Sequence, residues 1–356
     1  MSHSMIMPKG AFHTIAAPEH CAWPNLTLLP DGCIGAVIFN QPYHGSGEGD
    51  IELWVSDDAA ETWSLRSCIT DHEPNTNRMN HSAGVNQQGE FVTLCSGWRF
   101  DMPEGTPRHE QCRRCRPCIS SDNGHTWERF PEGPTPPDTV NCIPFGNIVC
   151  NGDGLLSGVY AYVPHEAIRL RKPCVMRSAD GGRTWGDFTQ ITEVTSGEPT
   201  LLLTQSGILY ALVRNMYGPI PPDASAERLG PPGGGLTLHR SEDMGRTFEP
   251  VMYMSQTSQH PGDLRQLADG RLLATYGSRA SECRGVLARI SDDDGETWSS
   301  PFAVMVADLR TDWGYPSSVQ LEDGQIVTAY YCRSAPWYQR YHMGVVRWSL
   351  DAVEVG

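Results

Sequence analysis

No stretch of this chain approaches the roughly 18–20 consecutive apolar residues of a membrane span, and residues 1–14 carry no hydrophobic signal region. The chain as given is therefore expected in the cytoplasm, or in a secreted or periplasmic setting if a signal segment has been removed. Positive charge is also scarce. Lys and Arg total 27 against 42 Asp and Glu, a formal net charge of −15. A surface this acidic repels a phosphate backbone, so nucleic acid is excluded as a partner. An anionic small substrate is not excluded, because a local cluster of arginines overrides the global sign. A disulfide framework is lacking as well. The 12 cysteines are scattered through 356 residues, a chain long enough to build a core without cross-links, and are expected to be free buried thiols. His109, Cys112, Cys115 and Cys118 recur every third residue with Arg113, Arg114 and Arg116 between them. Structural zinc sites draw a second ligand pair from a distant segment, and none is evident. Free thiols on an insertion loop are expected, with no metal and no cofactor.

What is present is a repeat. The pattern Ser-x-Asp-x-Gly-x-Thr-Trp occurs at Ser56–Trp63 (with Ala60 in the Gly place), Ser120–Trp127, Ser178–Trp185, Ser241–Phe248 (with Phe for Trp) and Ser291–Trp298. The spacings are 64, 58, 63 and 50 residues, which marks an array of similar supersecondary units. A second pattern interleaves with it. Apolar stretches flank turn glycines at Gly32, Gly89, Gly154, Gly207, Gly270 and Gly324, four of them in Asp-Gly pairs that favour hairpins. Each unit reads as strand, Gly turn, strand, loop, strand, Asp turn, strand. The abundance of turn formers, 36 Gly and 27 Pro, agrees. Six four-stranded antiparallel units make an all-β, six-bladed propeller occupying residues 1–356 as a single domain. The sixth unit ends early, near Trp348–Asp351, so its outermost strand is expected from Phe12–Ala16, closing the array and removing an open edge.

The five repeats resemble the Asp-boxes of the sialidase superfamily, and the resemblance covers nearly the whole chain. The Asp-box residues are read as structural, with Asp58, Asp122, Asp180, Asp243 and Asp293 accepting hydrogen bonds from turn amides. Chemistry is expected where the innermost strands begin, on the face of the long loops. Nine residues before each turn Gly stand Trp23, Asn80, Phe145, Glu198, Pro261 and Tyr315, with His81, His260 and Asp312 beside them. Loops leaving the second strands add His44, Glu48, Trp98, Arg99, Arg214, Arg279 and Arg333.

The resemblance implies roles. Gly314–Ser318 is similar to the sialidase nucleophile segment, with Tyr315 as nucleophile. Gly197-Glu198-Pro199 is similar to the segment of its base, with Arg214 the second carboxylate-binding arginine and Arg279 the third, Arg284 competing for that place. The loop Tyr43–Asp50 offers Glu48 or Asp50 as acid/base and carries three glycines that would let it move. Trp23, Asn80, His81 and His260 are expected to line a carbohydrate site. Two departures stand out. The family's first arginine is replaced in Ala22-Trp23-Pro24, and the Glu that supports it is replaced in Tyr330-Tyr331. Arg333 or Arg99 could substitute. The expected function is a sialidase-like glycoside hydrolase removing a terminal acidic sugar. Its rivals are a polysaccharide lyase using His81 or His260 with Tyr315, a glycosidase of another sugar, and a non-catalytic glycan-binding propeller. Insertions at Phe100–Cys118 and Met216–Gly235 are expected to cover the site or form a subunit contact. The sugar, the linkage and the oligomeric state have no signature in the sequence.

Overall fold

The computed structural model describes residues 5–107, 109–152, 154–164, 170–216, 234–307, 312–335 and 338–353. The described residues are almost all strands and turns. Two strands, β1 (Met5–Ile6) and β2 (Phe12–Pro18), precede the first unit. Unit one holds β3 (Asn25–Leu28), β4 (Ile34–Phe39), β5 (Ile51–Ser56) and β6 (Ser64–Cys68). Unit two holds β7 (Asn80–Val85), β8 (Phe91–Ser96), β9 (Arg116–Ser120) and β10 (Glu128–Arg129). Unit three holds β11 (Ile143–Asn151), β12 (Gly154–Tyr162), β13 (Arg171–Ser178) and β14 (Gly186–Gln190). Unit four holds β15 (Ser196–Leu203), β16 (Leu209–Asn215), β17 (Leu236–Ser241) and β18 (Glu249–Tyr253). Unit five holds β19 (Gln259–Gln266), β20 (Leu272–Ser278), β21 (Gly285–Ser291) and β22 (Phe302–Ala307). Unit six holds β23 (Trp313–Gln320), β24 (Ile326–Cys332) and β25 (His342–Trp348).

Every unit is an antiparallel meander. Units two and three merge into one eight-stranded sheet through a short parallel pairing of β7 with β11, and β1 extends unit five by pairing with β22. The N-terminal strand β2 pairs antiparallel with β25 and supplies the missing fourth strand of unit six, as the early end of that unit predicts. One turn differs from the sequence reading. In unit three the positive φ falls on Gly152 (52°), while Gly154 already pairs in β12 with Asn151.

The Asp repeats close the hairpins between third and fourth strands. In each, the Ser hydroxyl meets the Asp carboxylate and accepts the amide of the fifth residue, while the Asp accepts the Thr amide and hydroxyl. Around Asp122 these bonds are 2.7 Å from Ser120, 2.9 Å from the Thr126 amide and 2.7 Å from the Thr126 hydroxyl. The same set recurs at Asp58, Asp180, Asp243 and Asp293. These aspartates are consumed by their own turns.

The core lies between consecutive units. Leu26, Ile34, Ala36 and Ile38 of unit one pack against Val319, Val327, Ala329 and Val345 of unit six, so the last unit meets the first. Three side chains cross between non-adjacent units. Asn25 donates to the Gly146 carbonyl at 2.8 Å, Asn147 to Asp263 at 3.0 Å, and Arg265 to the Leu26 carbonyl at 3.0 Å. Units one, three and five are thus tied in a triangle through buried polar groups. All 12 cysteines are free, eight of them buried.

Candidate active site

Four of the six innermost strands are irregular at one depth. Register shifts fall between Phe145 and Ile148, Ser196 and Pro199, Gln259 and Gly262, and Gly314 and Ser317. Each brackets or begins at the residue reached by counting nine back from the turn glycine. A bulge re-aims a side chain that a regular ladder would send into a sheet face. The backbone at Tyr315 is an outlier, with φ 53° on a bulky residue. That conformation costs about 1–2 kcal/mol and persists where the surroundings impose it. Its neighbour Gly314 sits at φ 131°, and a Cβ there would come within 3.3 Å of Arg279 Nη2.

Tyr315 is buried and donates to Glu198 Oε1 at 2.8 Å. Arg214 Nη1 donates to the same oxygen at 2.8 Å and lies 3.3 Å from the phenolic oxygen. Burial by itself raises the Glu198 pKa, but the charges of Arg214 and Arg171 and the phenol's hydrogen bond outweigh it and hold the carboxyl at about 2. Burial and the Glu198 charge push the Tyr315 phenol above its ordinary range. At neutral pH the pair is carboxylate and phenol. Glu198 Oε2, Arg214 Nε and Arg171 Nε are buried without a hydrogen-bond partner among the described residues.

Aromatic rings enclose the pair. Trp23 stacks on Tyr315 at 4.2 Å and 22°, Phe145 meets it edge-on at 5.8 Å, and Tyr331 lies 5.7 Å away. The Arg279 guanidinium sits 5.8 Å from the Tyr315 ring centre and donates to the His260 carbonyl at 2.8 Å. Above this layer Asp312 gathers donors. Tyr331 donates to Oδ1 at 2.8 Å, Tyr341 to Oδ2 at 3.0 Å, and His44 Nδ1 lies 3.1 Å from Oδ2. Burial raises the Asp312 pKa, and the His44 and Tyr331 hydrogen bonds overcome it, leaving it at about 2.

The sequence-derived residues divide accordingly. Tyr315, Glu198, Arg214, Arg279 and Trp23 converge. Glu48 and Asp50 do not join them. Asp50 is held by Thr70 at 2.8 Å and His72 at 2.7 Å, and Glu48 accepts the Asn75 amide and lies 3.6 Å from His72. Asn80 bonds Ser96 at 3.4 Å. His81 places both ring nitrogens 3.1 Å from carbonyls, of Met79 and Val37, and burial lowers its pKa to about 4. His260 is lowered to about 3 by burial and by Arg214 and Arg279. Arg99 is exposed against Asp101, and Arg333 is exposed with its amide on the Asp312 carbonyl. Within the insertion Phe100–Cys118, Arg113 pairs with Glu73 at 2.6 Å and Glu132 at 2.9 Å, the His109 carbonyl accepts from Asn141 of the loop before unit three at 2.9 Å, and Phe100 and Cys112 pack against the cluster that holds Tyr315 and Tyr331. The insertion Met216–Gly235 lies outside the described residues except at its ends. His109, Cys112, Cys115 and Cys118 do not converge, and among the described residues no three His, Cys, Asp or Glu side chains could hold a metal ion. Arg171 was missed by sequence reasoning. It starts β13, donates to the Tyr162 hydroxyl at 2.9 Å and lies over the rings of Tyr160 and Tyr162.

Residues 43–328 match the family profile described as BNR repeat-like domain. The chain belongs to that family. This BNR repeat-like protein has no match among curated proteins. Its fold is shared with a Dyadobacter fermentans protein of unknown function, at TM-score 0.76 and 20% identity, covering 96% of this chain and 100% of that one. It is shared with the Trypanosoma rangeli sialidase bound to 2,3-difluorosialic acid as a covalent intermediate, at TM-score 0.68 and 14% identity, over 97% of this chain and 59% of that one. The NanB sialidase of Streptococcus pneumoniae is similar at TM-score 0.66 and 12% identity, over 99% and 71%. At these identities the likeness is one of fold, that of the sialidase superfamily.

Proposed function

We propose that the six units are the blades of one six-bladed propeller, and that the protein is a sialidase-like glycoside hydrolase removing a terminal acidic sugar from a glycan. The packing of unit six on unit one supports the first part. The contact of Tyr315, Glu198 and Arg214 carries the second.

A sugar with a carboxylate on its anomeric carbon repels a carboxylate nucleophile, and a neutral phenol avoids that repulsion, the known exception to the two-carboxylate scheme. Tyr315 attacks the anomeric carbon as its proton passes to Glu198. Glu198 is a weak base in the empty site because Arg214 holds its charge. A substrate carboxylate pairing with Arg214 and Arg279 draws that positive charge away and raises the basicity of Glu198 when it is needed. Arg171 adds positive charge behind the pair. The similar trypanosomal sialidase has been caught with 2,3-difluorosialic acid as a covalent intermediate, and a tyrosine nucleophile here would likewise pass through a covalent intermediate.

By the resemblance, Ala22 stands where the family keeps its first arginine and Tyr331 where it keeps that arginine's Glu, and the Trp23 ring next to Ala22 stacks on Tyr315. This favours a second reading, in which the same site takes a sugar other than sialic acid, its ring lying on the aromatic rim. The test is fluorophore release from 4-methylumbelliferyl sialic acid, with uronic acid and neutral-sugar glycosides alongside. Wild-type turnover with a loss of at least 10³-fold in Tyr315→Phe is expected. Full activity in Tyr315→Phe overturns the nucleophile assignment.

A further inference from the structure

Resting on the hydrolase reading, we infer that the proton for the departing group comes from His44, oriented by Asp312. A glycosidase with a phenol nucleophile needs a second group to protonate the leaving oxygen. Both carboxylates of the Tyr43–Asp50 loop are engaged elsewhere, Asp50 by Thr70 and His72, Glu48 by Asn75 and His72. The same loop places His44 at the mouth of the site. Its Nδ1 is 3.1 Å from Asp312 Oδ2. Its ring meets Trp23 edge-on at 5.0 Å, and Trp23 stacks on the nucleophile at 4.2 Å. The His44 side chain is 44% exposed, and no hydrogen bond is found for its Nε2 among the described residues.

Asp312 is built as an orienting group. Tyr331 and Tyr341 fix its two oxygens, and Arg279 Nη2 stands 3.9 Å away. A carboxylate at Nδ1 holds the proton there in the neutral ring and stabilises the imidazolium, which leaves Nε2 to exchange a proton with the substrate side. Tyr331, standing where the family has a Glu, thereby serves a different partner.

The step balances. As the anomeric C–O bond breaks, imidazolium Nε2–H passes its proton to the leaving oxygen, the Tyr315 oxygen bonds to the anomeric carbon, and the phenol proton moves to Glu198. In the second half, neutral His44 takes a proton from water as the water oxygen bonds to the anomeric carbon. In that same step the Tyr315 C–O bond breaks, and the phenolic oxygen recovers its proton from Glu198.

The experiment compares two probes with different leaving groups, 3′-sialyllactose and 4-methylumbelliferyl sialic acid, on wild type, His44→Ala and Asp312→Asn. A methylumbelliferone anion leaves without a proton, whereas a sugar alkoxide does not. The expected result for His44→Ala is a fall in kcat/KM, which reports the first half-reaction and not the shared water step, on the order of 10²–10³-fold with sialyllactose and under ~10-fold with the aryl glycoside. Added imidazole should restore part of the sialyllactose rate. Asp312→Asn should shift the ratio the same way by a smaller factor. Equal loss of kcat/KM on both probes without imidazole rescue, or no loss on either, overturns the assignment of His44 and leaves Tyr315 standing. No wild-type turnover of either probe removes the sialoside reading and the role of His44 together.

Discussion

Glu198 is the residue on which the electrostatics of the site turns. It is a buried carboxylate held at about 2 against an ordinary 4.5, with burial opposing and Arg214, Arg171 and the Tyr315 hydroxyl prevailing. Because its folded pKa is depressed, its stabilising contribution is present above about pH 4.5 and is lost as pH falls from 4.5 toward 2. The shift corresponds to about 3 kcal/mol. Glu198→Gln keeps the shape but leaves two half-buried guanidiniums facing no charge, which should destabilise the fold by about 2–3 kcal/mol at pH 7. The variant's denaturant midpoint should also vary less between pH 4.5 and 2.5 than that of the wild type. A variant as stable as wild type at pH 7 would mean that Arg214 and Arg171 find other partners, and that Glu198 is not the hub. Catalytically the same variant should lose turnover, since an amide cannot accept the phenol proton.

Among the elements, the Asp turns show how the sequence specifies backbone. The fifth residue of every repeat has positive φ, from 69° at Ala60 to 99° at Gly182. Unit one alone places a side chain there, and the Ala60 methyl is fully buried against the unit six interface. Ala60→Gly relieves about 1–2 kcal/mol of left-handed strain and forfeits about 0.8 kcal/mol of methyl burial plus glycine's added entropy. The two sides nearly cancel, so stability should change by less than ~1 kcal/mol. Gly124→Ala has no such compensation. Its Cβ would lie 2.1 Å from Leu53 Cδ2, and Leu53 is fully buried. Strain and overpacking together should cost about 2–4 kcal/mol, read as a shift in denaturant midpoint, and a neutral outcome would mean that the unit one to unit two interface has slack.

The same regularity explains which site residues were legible. A fixed count back from each turn glycine finds Trp23, Phe145, Glu198 and Tyr315 because strand length sets their depth in the units. The hydrogen bond between Tyr315 and Glu198 spans 117 positions; the fixed count brings both residues to one cavity, and the resemblance to sialidases pairs them. Arg171 and Tyr341 escaped because they stand at or beside the start of third strands, after loops of variable length. The His44–Asp312 pair escaped for another reason. Its partners lie 268 positions apart on loops, where no period fixes the side-chain direction. Glu48 and Asp50 lie on the loop where the resemblance puts the acid/base, and the structure turns both toward His72 and its neighbours.

On the scale of the whole molecule, buried and half-buried histidines set the acid limit. His13 bonds the Tyr330 hydroxyl at 2.7 Å where β2 joins unit six, and burial and His342 lower its pKa to about 4. Burial lowers His81 and His239 to about 4, and burial with Arg214 and Arg279 lowers His260 to about 3. They belong to four different units. Each is neutral in the fold and titrates at 6.5 when unfolded. A depressed histidine contributes stability that is full above 6.5 and drains as pH falls through 6.5 toward 4, at up to 1.36 kcal/mol per pH unit per group. His72, raised by Asp50 and Glu48 against the opposing effect of burial, acts in the opposite sense. The balance favours loss. The carboxylates held near 2, Glu198 and Asp312, begin to lose their contribution only below about 4.5. Thermal stability should therefore decline between pH 6.5 and 4.5, before the carboxylates enter, by several kcal/mol in total. His13→Asn, which cannot become charged, should flatten part of that decline, with the lost Tyr330 contact lowering the plateau by about 1–2 kcal/mol. Melting curves at half-unit steps from pH 7.5 to 4 decide it. A melting temperature constant down to pH 4.5 would show that these histidines protonate within the intact fold, and that the units part locally before the molecule unfolds.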